Sequence, residues 1–399
     1  MTNYKEKIER TVDERLEDYK KIALSIHDKP EVSNYEFFAC ETLSDKLKEE
    51  GFDVKVDVAG HRTGFDARYK SDKPGLVIVF YAEYDALEGI GHACGHNLFG
   101  TTSSLAAVGL KSVIDEVGGE IRVYGTPGEE GGENGSAKGS FVDKGFFDDV
   151  DISLGAHPGY RHTLTSVSKA VAPVDVEFFG KSAHASAAPW EGINALDAVI
   201  QVFNSINALR EHLPTDTRIH GIITDGGKAP NVVPEYAKAR FFLRADKRPT
   251  LDDLYKKFEN IVKAAALATG CEYKFGLFQN RVDNTIPTPS FDEVYVEKLK
   301  EYGQDITPTD IFLAGGSSDV GNISQVVPVI QPTISISDTP ITGHTVEFRE
   351  AARSEKGLES IGLGAKLLAL TALELILDPS RLEKIKNDHS KFIKEQNQW

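Results

Sequence analysis

Three short stretches of this chain concentrate side chains that can hold a metal ion or move a proton. In GHACGHN, His92, Cys94, His96 and Asn97 stand close together, and Cys94 and His96 offer a thiolate and an imidazole two residues apart. Both are good zinc ligands. In GTPGEEGGENGSAKG, Glu129 and Glu130 are adjacent and flanked by glycines, which leave room for a close ion or substrate. Adjacent carboxylates suit a division of labour: one ligates metal while the other takes a proton from metal-activated water. GAHPG adds His157. Two further histidines stand in loops of small residues, His184 in GKSAHASAAPWEGINA and His344 in TPITGHTVEF. Each alone reads as an ordinary loop histidine. Asn231 precedes the segment EYAKARFFLRAD, whose Arg244 could hold a substrate carboxylate through its bidentate fork or be a plain exposed arginine.

The elements that must position these residues read as follows. GLVIVFYAEYDAL is a buried strand ending in acidic residues, and HNLFGTTSSLAAVGLKSVIDEVG a helix with Asn97 available as its cap. EIRVYGTPGEE and DISLGAHPG are second and third strands, so ligand-type residues follow three successive strands. Strands separated by helices predict an α/β, doubly wound, mainly parallel sheet, whose functional crevice lies outside the carboxyl ends of its strands. From Val171 the rhythm changes to strand, helix, strand, strand, helix, strand, the ferredoxin-like pattern. After TIPTP the α/β style resumes through 291–303 and ends in two helical runs. The expected organisation is a catalytic domain of 1–170 and 286–399, with an inserted domain of 171–285. A length of 399 residues suits two cores better than one.

A formal net charge of -16 disfavours nucleic acid as a partner, because that binding neutralises phosphates with Lys and Arg. At the start of the chain Ile8, Val12, Leu16, Tyr19, Ile22, Ala23 and Ile26 fall at helical spacing, which reads as an amphipathic helix and not a signal peptide. No stretch reads as long and apolar enough for a membrane span. Cys40, Cys94 and Cys271 are too few for a disulfide framework, and the expected location is the cytoplasm.

With these residues assembled, the sequence resembles the aminoacylase/carboxypeptidase family of di-metal amidohydrolases and metallopeptidases. Its relatives include the p-aminobenzoyl-glutamate hydrolase, dipeptidase-like and indoleacetyl-amino-acid hydrolase branch. The resemblance runs from about Ala23 to the helix after His344, with every motif in the family's order. It implies Cys94, His96, Glu130, His157 and His344 as ligands of two divalent ions, with Glu129 as general base. It also implies an inserted lid domain that makes a homodimer or higher homo-oligomer, whose His184 reaches the partner's site. Asn231 and Arg244 match positions that bind the substrate. Zinc suits the sulfur and nitrogen ligands best, with manganese the alternative. Two departures stand out. The best-known members carry His-x-Asp where this chain has Glu83-Tyr84-Asp85, and HACGHN replaces the HACGHD of many close members. The expected reaction is hydrolysis of the amide bond in small N-acyl amino acids or short peptides with a free carboxylate, by water that Glu129 deprotonates. The rival readings are a thiol hydrolase with Cys94 as nucleophile and a non-catalytic metal-binding protein.

Overall fold

The computed structural model describes residues 2–313 and 316–396. The first helix, α1 (Thr2–Asp28), buries Ile8, Val12, Tyr19, Ala23 and Ile26 completely, as the helical spacing of its apolar residues dictates. Next come α2 (Phe37–Glu49), β1 (Asp53–Val58), β2 (His61–Lys70) and β3 (Val77–Ala82). The long α3 (His96–Val117) leads into β4 (Glu120–Gly125), α4 (Ala137–Asp143), β5 (Ile152–Leu154) and β6 (His157–Gly159).

The segment Ser168–Asn284 forms a compact unit of its own. It runs β7 (Ala170–Phe179), α5 (Ala195–Leu209), β8 (Arg218–Asp225), β9 (Tyr236–Ala245), α6 (Arg248–Thr269) and β10 (Glu272–Leu277). These strands make an antiparallel sheet in the order β10-β7-β9-β8. On β9 buried and half-buried residues alternate strictly, so Phe241 and Leu243 join Phe178, Val202 and Phe258 in the core under the two helices. The unit closes its own ends: Val171 N donates to Val282 O at 2.8 Å, and Val282 N to Val171 O at 3.0 Å.

The chain then supplies α7 (Pro289–Glu301), α8 (Val320–Ser324), β11 (Val329–Ile330), β12 (Thr333–Ser335), α9 (Val346–Ala351), α10 (Glu355–Leu377) and α11 (Pro379–Gln396). These complete the first unit, whose six-stranded sheet has the order β1-β2-β4-β3-β5-β11. Strands β3, β4, β5 and β11 are parallel, as the alternation of strands and helices predicts. β3 and β4 are buried along nearly their whole length, with Leu105, Leu110, Leu367 and Leu368 in the larger core and Tyr81, Tyr124, Phe141 and Ile323 in a second.

The structure departs from the sequence reading in four places. β1 and β2 add an antiparallel pair at one edge of the sheet. DISLGAHPG splits into β5 and β6, which belong to different sheets, so His157 opens a short strand and does not close a long one. Asn97 caps nothing. Gly95 holds the N-cap position in the left-handed region (φ 79°), while Asn97 donates to the Ala23 and Ala352 carbonyls at 3.2 and 3.1 Å. Lastly, α10 is long and apolar enough to cross a membrane by length and composition, which the sequence reading denied. Its apolar length has a local cause: Leu367, Leu368, Ala369 and Ala372 are fully buried in the first unit's core.

Candidate metal centre

Cys94 and His96 sit on the turn between β3 and α3, and this turn has little steric freedom. A Cβ on Gly95 would lie 2.9 Å from two Pro158 side-chain atoms, in a backbone conformation that favours glycine. His96 opens α3 and is wholly buried. Its Nδ1 lies 2.9 Å from Asp85 Oδ1, and a carboxylate there makes Nδ1 the donor and leaves a lone pair on Nε2. Nε2 has no hydrogen-bond partner. His157 is arranged alike. Its Nδ1 faces the Pro158 carbonyl at 2.8 Å, and its Nε2 is 3.4 Å from Cys94 Sγ. Burial lowers its pKa and keeps the ring neutral, the form a metal ligand needs.

Glu129 and Glu130 follow β4 on a loop fixed from several sides. Gly128 N donates to Glu36 Oε1 at 2.9 Å, Glu130 N to Asp85 Oδ2 at 2.9 Å, and Asn34 Nδ2 to the Asn134 carbonyl at 2.8 Å. Asp85 thus ties the His96 ring to the Glu130 backbone. Burial would raise the Asp85 carboxyl, yet His96 and the Glu130 N–H hold it below its usual range. His344 reaches the cluster from far along the chain because its N–H donates to the Ala93 carbonyl at 2.9 Å. Its ring Nε2 stands 3.5 Å from Glu130 Oε2.

The metal-binding atoms fall into overlapping triads, each within 4.8 Å: Cys94, His96 and His157; Cys94, Glu130 and His344; His96, Glu129 and Glu130. Cys94 belongs to two of them. A donor set of thiolate, imidazole and carboxylate, with Cys94 common to two triads, would suit divalent ions. Buried atoms without partners support the fit: His96 Nε2, Glu83 Oε2 and Glu130 Oε1. His92, from the same motif, stays outside these triads. It is buried beside His27, the ring centroids 6.0 Å apart, and burial lowers its pKa to about 3.

Several neighbours carried no role in the sequence reading. Lys138, fully buried on α4, pairs with Asp319 and with Glu83 Oε1 at 2.9 Å. Glu36 holds the Glu129 loop, and Gln331 donates to Glu83 at 3.3 Å. The only sequence-level signal among these was Glu83 and Asp85 at the end of an apolar strand; a buried lysine in a glycine-rich segment gives none.

The other candidates lie in the inserted unit. His184 is exposed, its Nδ1 near only Ser186 and Ala187 from its own turn. Asn231 is beside it, through Ala185 N donating to Asn231 O at 3.0 Å. Arg244, near the far end of β9, donates from Nε to His220 at 3.3 Å and from Nη1 to Ser317 Oγ at 2.9 Å.

A doubly wound sheet with paired glutamates and a shared Cys/His donor set at its carboxyl edge defines a metal-dependent hydrolase of amide or peptide bonds. Comparison with known proteins agrees. The description of a peptidase dimerisation domain matches residues 168–270. Human Xaa-Arg dipeptidase is 34% identical over 403 residues, spanning 96% of this chain and 92% of that protein. The mouse protein of that name is 37% identical over 319 residues, spanning 78% and 73%. One of the p-aminobenzoyl-glutamate hydrolase subunits of Escherichia coli is 29% identical over 467 residues, spanning 96% and 95%. Among solved structures, an aminobenzoyl-glutamate utilization protein from Klebsiella pneumoniae shares the fold with a TM-score of 0.73 at 18% identity, covering 92% of this chain and 98% of that one. A dinuclear metal-binding peptidase from Bacillus subtilis does so with a TM-score of 0.61 at 16% identity, covering 92% and 99%. The chain belongs to the M20 peptidase family.

Proposed function

We propose that this chain hydrolyses the amide bond of dipeptides or N-acyl amino acids with a free carboxylate, using two divalent ions. Cys94, His96, Glu130, His157 and His344 would hold the ions, and Glu129 would act as the base. The observation that carries the reading is the convergence of these donor atoms from four distant segments into overlapping triads, two of which share Cys94. Bound there, divalent ions would acidify water and polarise the scissile carbonyl. The remaining roles belong to side chains. In the protein alone, burial, followed by the Glu83 and Asp319 carboxylates, pushes Glu129 well above the usual carboxylate range, and His96 and Lys138 oppose that. A basic carboxylate in that position accepts a proton from the attacking water and passes it to the departing amine. His184, in a homodimer built through the inserted unit, would donate to the developing oxyanion of the partner's substrate. Arg244 would take the substrate carboxylate through its fork, with Asn231 on the acyl side.

The relatives named for Xaa-Arg dipeptides make those substrates the first to try. The test is a panel of Xaa-Arg and other dipeptides, p-aminobenzoyl-glutamate and N-acetyl amino acids, assayed after chelation and after return of zinc or manganese. Turnover that survives complete removal of metal would sink the proposal. The thiol-hydrolase alternative is disfavoured by Cys94 itself: burial raises its pKa far above that of a reactive cysteine, and the His96 beside it does not reverse this.

A further inference from the structure

Beneath the centre lies a buried ionic cluster with one ammonium and two carboxyl groups. Glu83 at the end of β3, Lys138 on α4 and Asp319 before α8 have fully buried side chains. Lys138 Nζ meets both Asp319 and Glu83, so a single ammonium faces two buried carboxyl groups, and buried charge is costly unless it is paired.

Glu83 is also oriented. Lys138 Nζ, at 2.9 Å, and Gln331 Nε2, at 3.3 Å, both engage Oε1. Oε2 has no hydrogen-bond partner and lies 3.3 Å from His96 Nε2, which has none either. With the Nδ1 proton of His96 directed at Asp85, a neutral ring and the Glu83 carboxylate turn lone pairs toward each other, an arrangement made favourable by a cation, whether a metal ion or a second proton, between them. Two ligands held about 2.0–2.1 Å from a tetrahedral zinc lie about 3.3–3.4 Å apart. We propose that Glu83 is a sixth protein ligand of the centre, binding through Oε2 the ion that His96 holds, and that Lys138 and Gln331 are the positioning residues that aim it. The inference rests on the two-ion reading above. It makes the two ion positions unequal, with an additional carboxylate on the His96 side.

The test is metal binding, read without turnover: zinc or cobalt titrated into chelated, full-length protein, with bound metal counted and melting followed by circular dichroism. Wild type should take up two ions. Glu83→Gln keeps an oxygen for Lys138 and Gln331, and Glu83→Met removes all polarity; each should keep one ion and lose the other by more than the 10- to 100-fold typical of an outer partner. Lys138→Met/Asp319→Asn, which removes opposite charges together, should keep both ions and weaken one by roughly 10- to 100-fold. If both folded Glu83 variants bind two ions as wild type does, Glu83 is only the counter-ion of Lys138 and the proposal falls. It also falls if both ions are lost together. If wild type itself binds no ion, the two-ion reading fails first, and it fails independently of the Glu83 variants.

Discussion

The crevice of the first unit and the loop around His184 in the inserted unit hold the same kinds of side chain in opposite circumstances. His96 is sealed from solvent and gripped at Nδ1 by Asp85, which also fixes the Glu130 backbone. His184 stands exposed, and among the described residues its ring Nδ1 meets only its own turn. The contrast separates two ways of building a site. The proposed ion centre is set up in advance by its own unit, with second partners engaging the ring nitrogens. The proposed oxyanion donor His184 has no such partner for its ring outside its own turn among the described residues.

The largest effect belongs to the crevice. Glu129→Gln should keep both ions and lose turnover by on the order of 1000- to 10,000-fold, whereas Glu130→Gln should release the ion shared with His344. Metal content and rate measured on both variants decide this, and the reverse pattern would exchange their roles. Next comes His184→Ala, which should leave metal content intact and lower kcat by on the order of 100- to 1000-fold. Mixing it with Glu129→Gln after subunit exchange should restore up to roughly a quarter of wild-type activity if His184 serves the partner's site. No recovery despite proven exchange would confine it to its own chain. Arg244→Ala should mainly raise KM, by about 10- to 100-fold, the worth of a charge-assisted hydrogen-bond pair. Substrates with an amidated C-terminus should not feel the change, and an equal loss on those would remove Arg244 from carboxylate recognition.

The smallest effect concerns stability. Burial, then Asp85, raises the Glu36 carboxyl from its ordinary 4.5 to about 8. A raised carboxyl contributes stability that is fully present below its unfolded value and is lost as pH rises through the folded one. In metal-free protein, Glu36→Gln should therefore gain in melting temperature relative to wild type between roughly pH 5 and 8, by a few degrees. A constant difference across that range would mean that Glu36 is ionised throughout.

How far the sequence could be read depended on whether a residue's environment is local. The apolar runs of β3 and β4 and the helical spacing of α1 carry their own evidence, and glycines beside Glu129 mark a turn before any fold is known. The antiparallel β1 escaped notice because its segment DVKVDV is mostly exposed and shows no apolar run. Lys138 and Asp319 were invisible for the opposite reason. Their burial is created by a contact between α4 and the turn before α8, far apart in the chain. His344 looked ordinary because what brings it to Glu130 is one backbone bond to Ala93 and a left-handed backbone (φ 63°). Asn97 misled because its residue type favours caps, yet here it sits one position inside the helix and bonds two distant carbonyls.

The paired bonds between Val171 and Val282 also bear on chain entropy. A flexible excursion of that length would have to be closed before the β strands after it could join those before it, at about 0.6 kcal/mol for each doubling of the loop. A folded segment with its ends clasped costs the surrounding chain little more than a short turn. The sequence on either side can thus fold much as if the excursion were a hairpin loop, and the excursion itself becomes a cassette. Its contents can be exchanged, enlarged or redesigned without renegotiating the order of the sheet that flanks it.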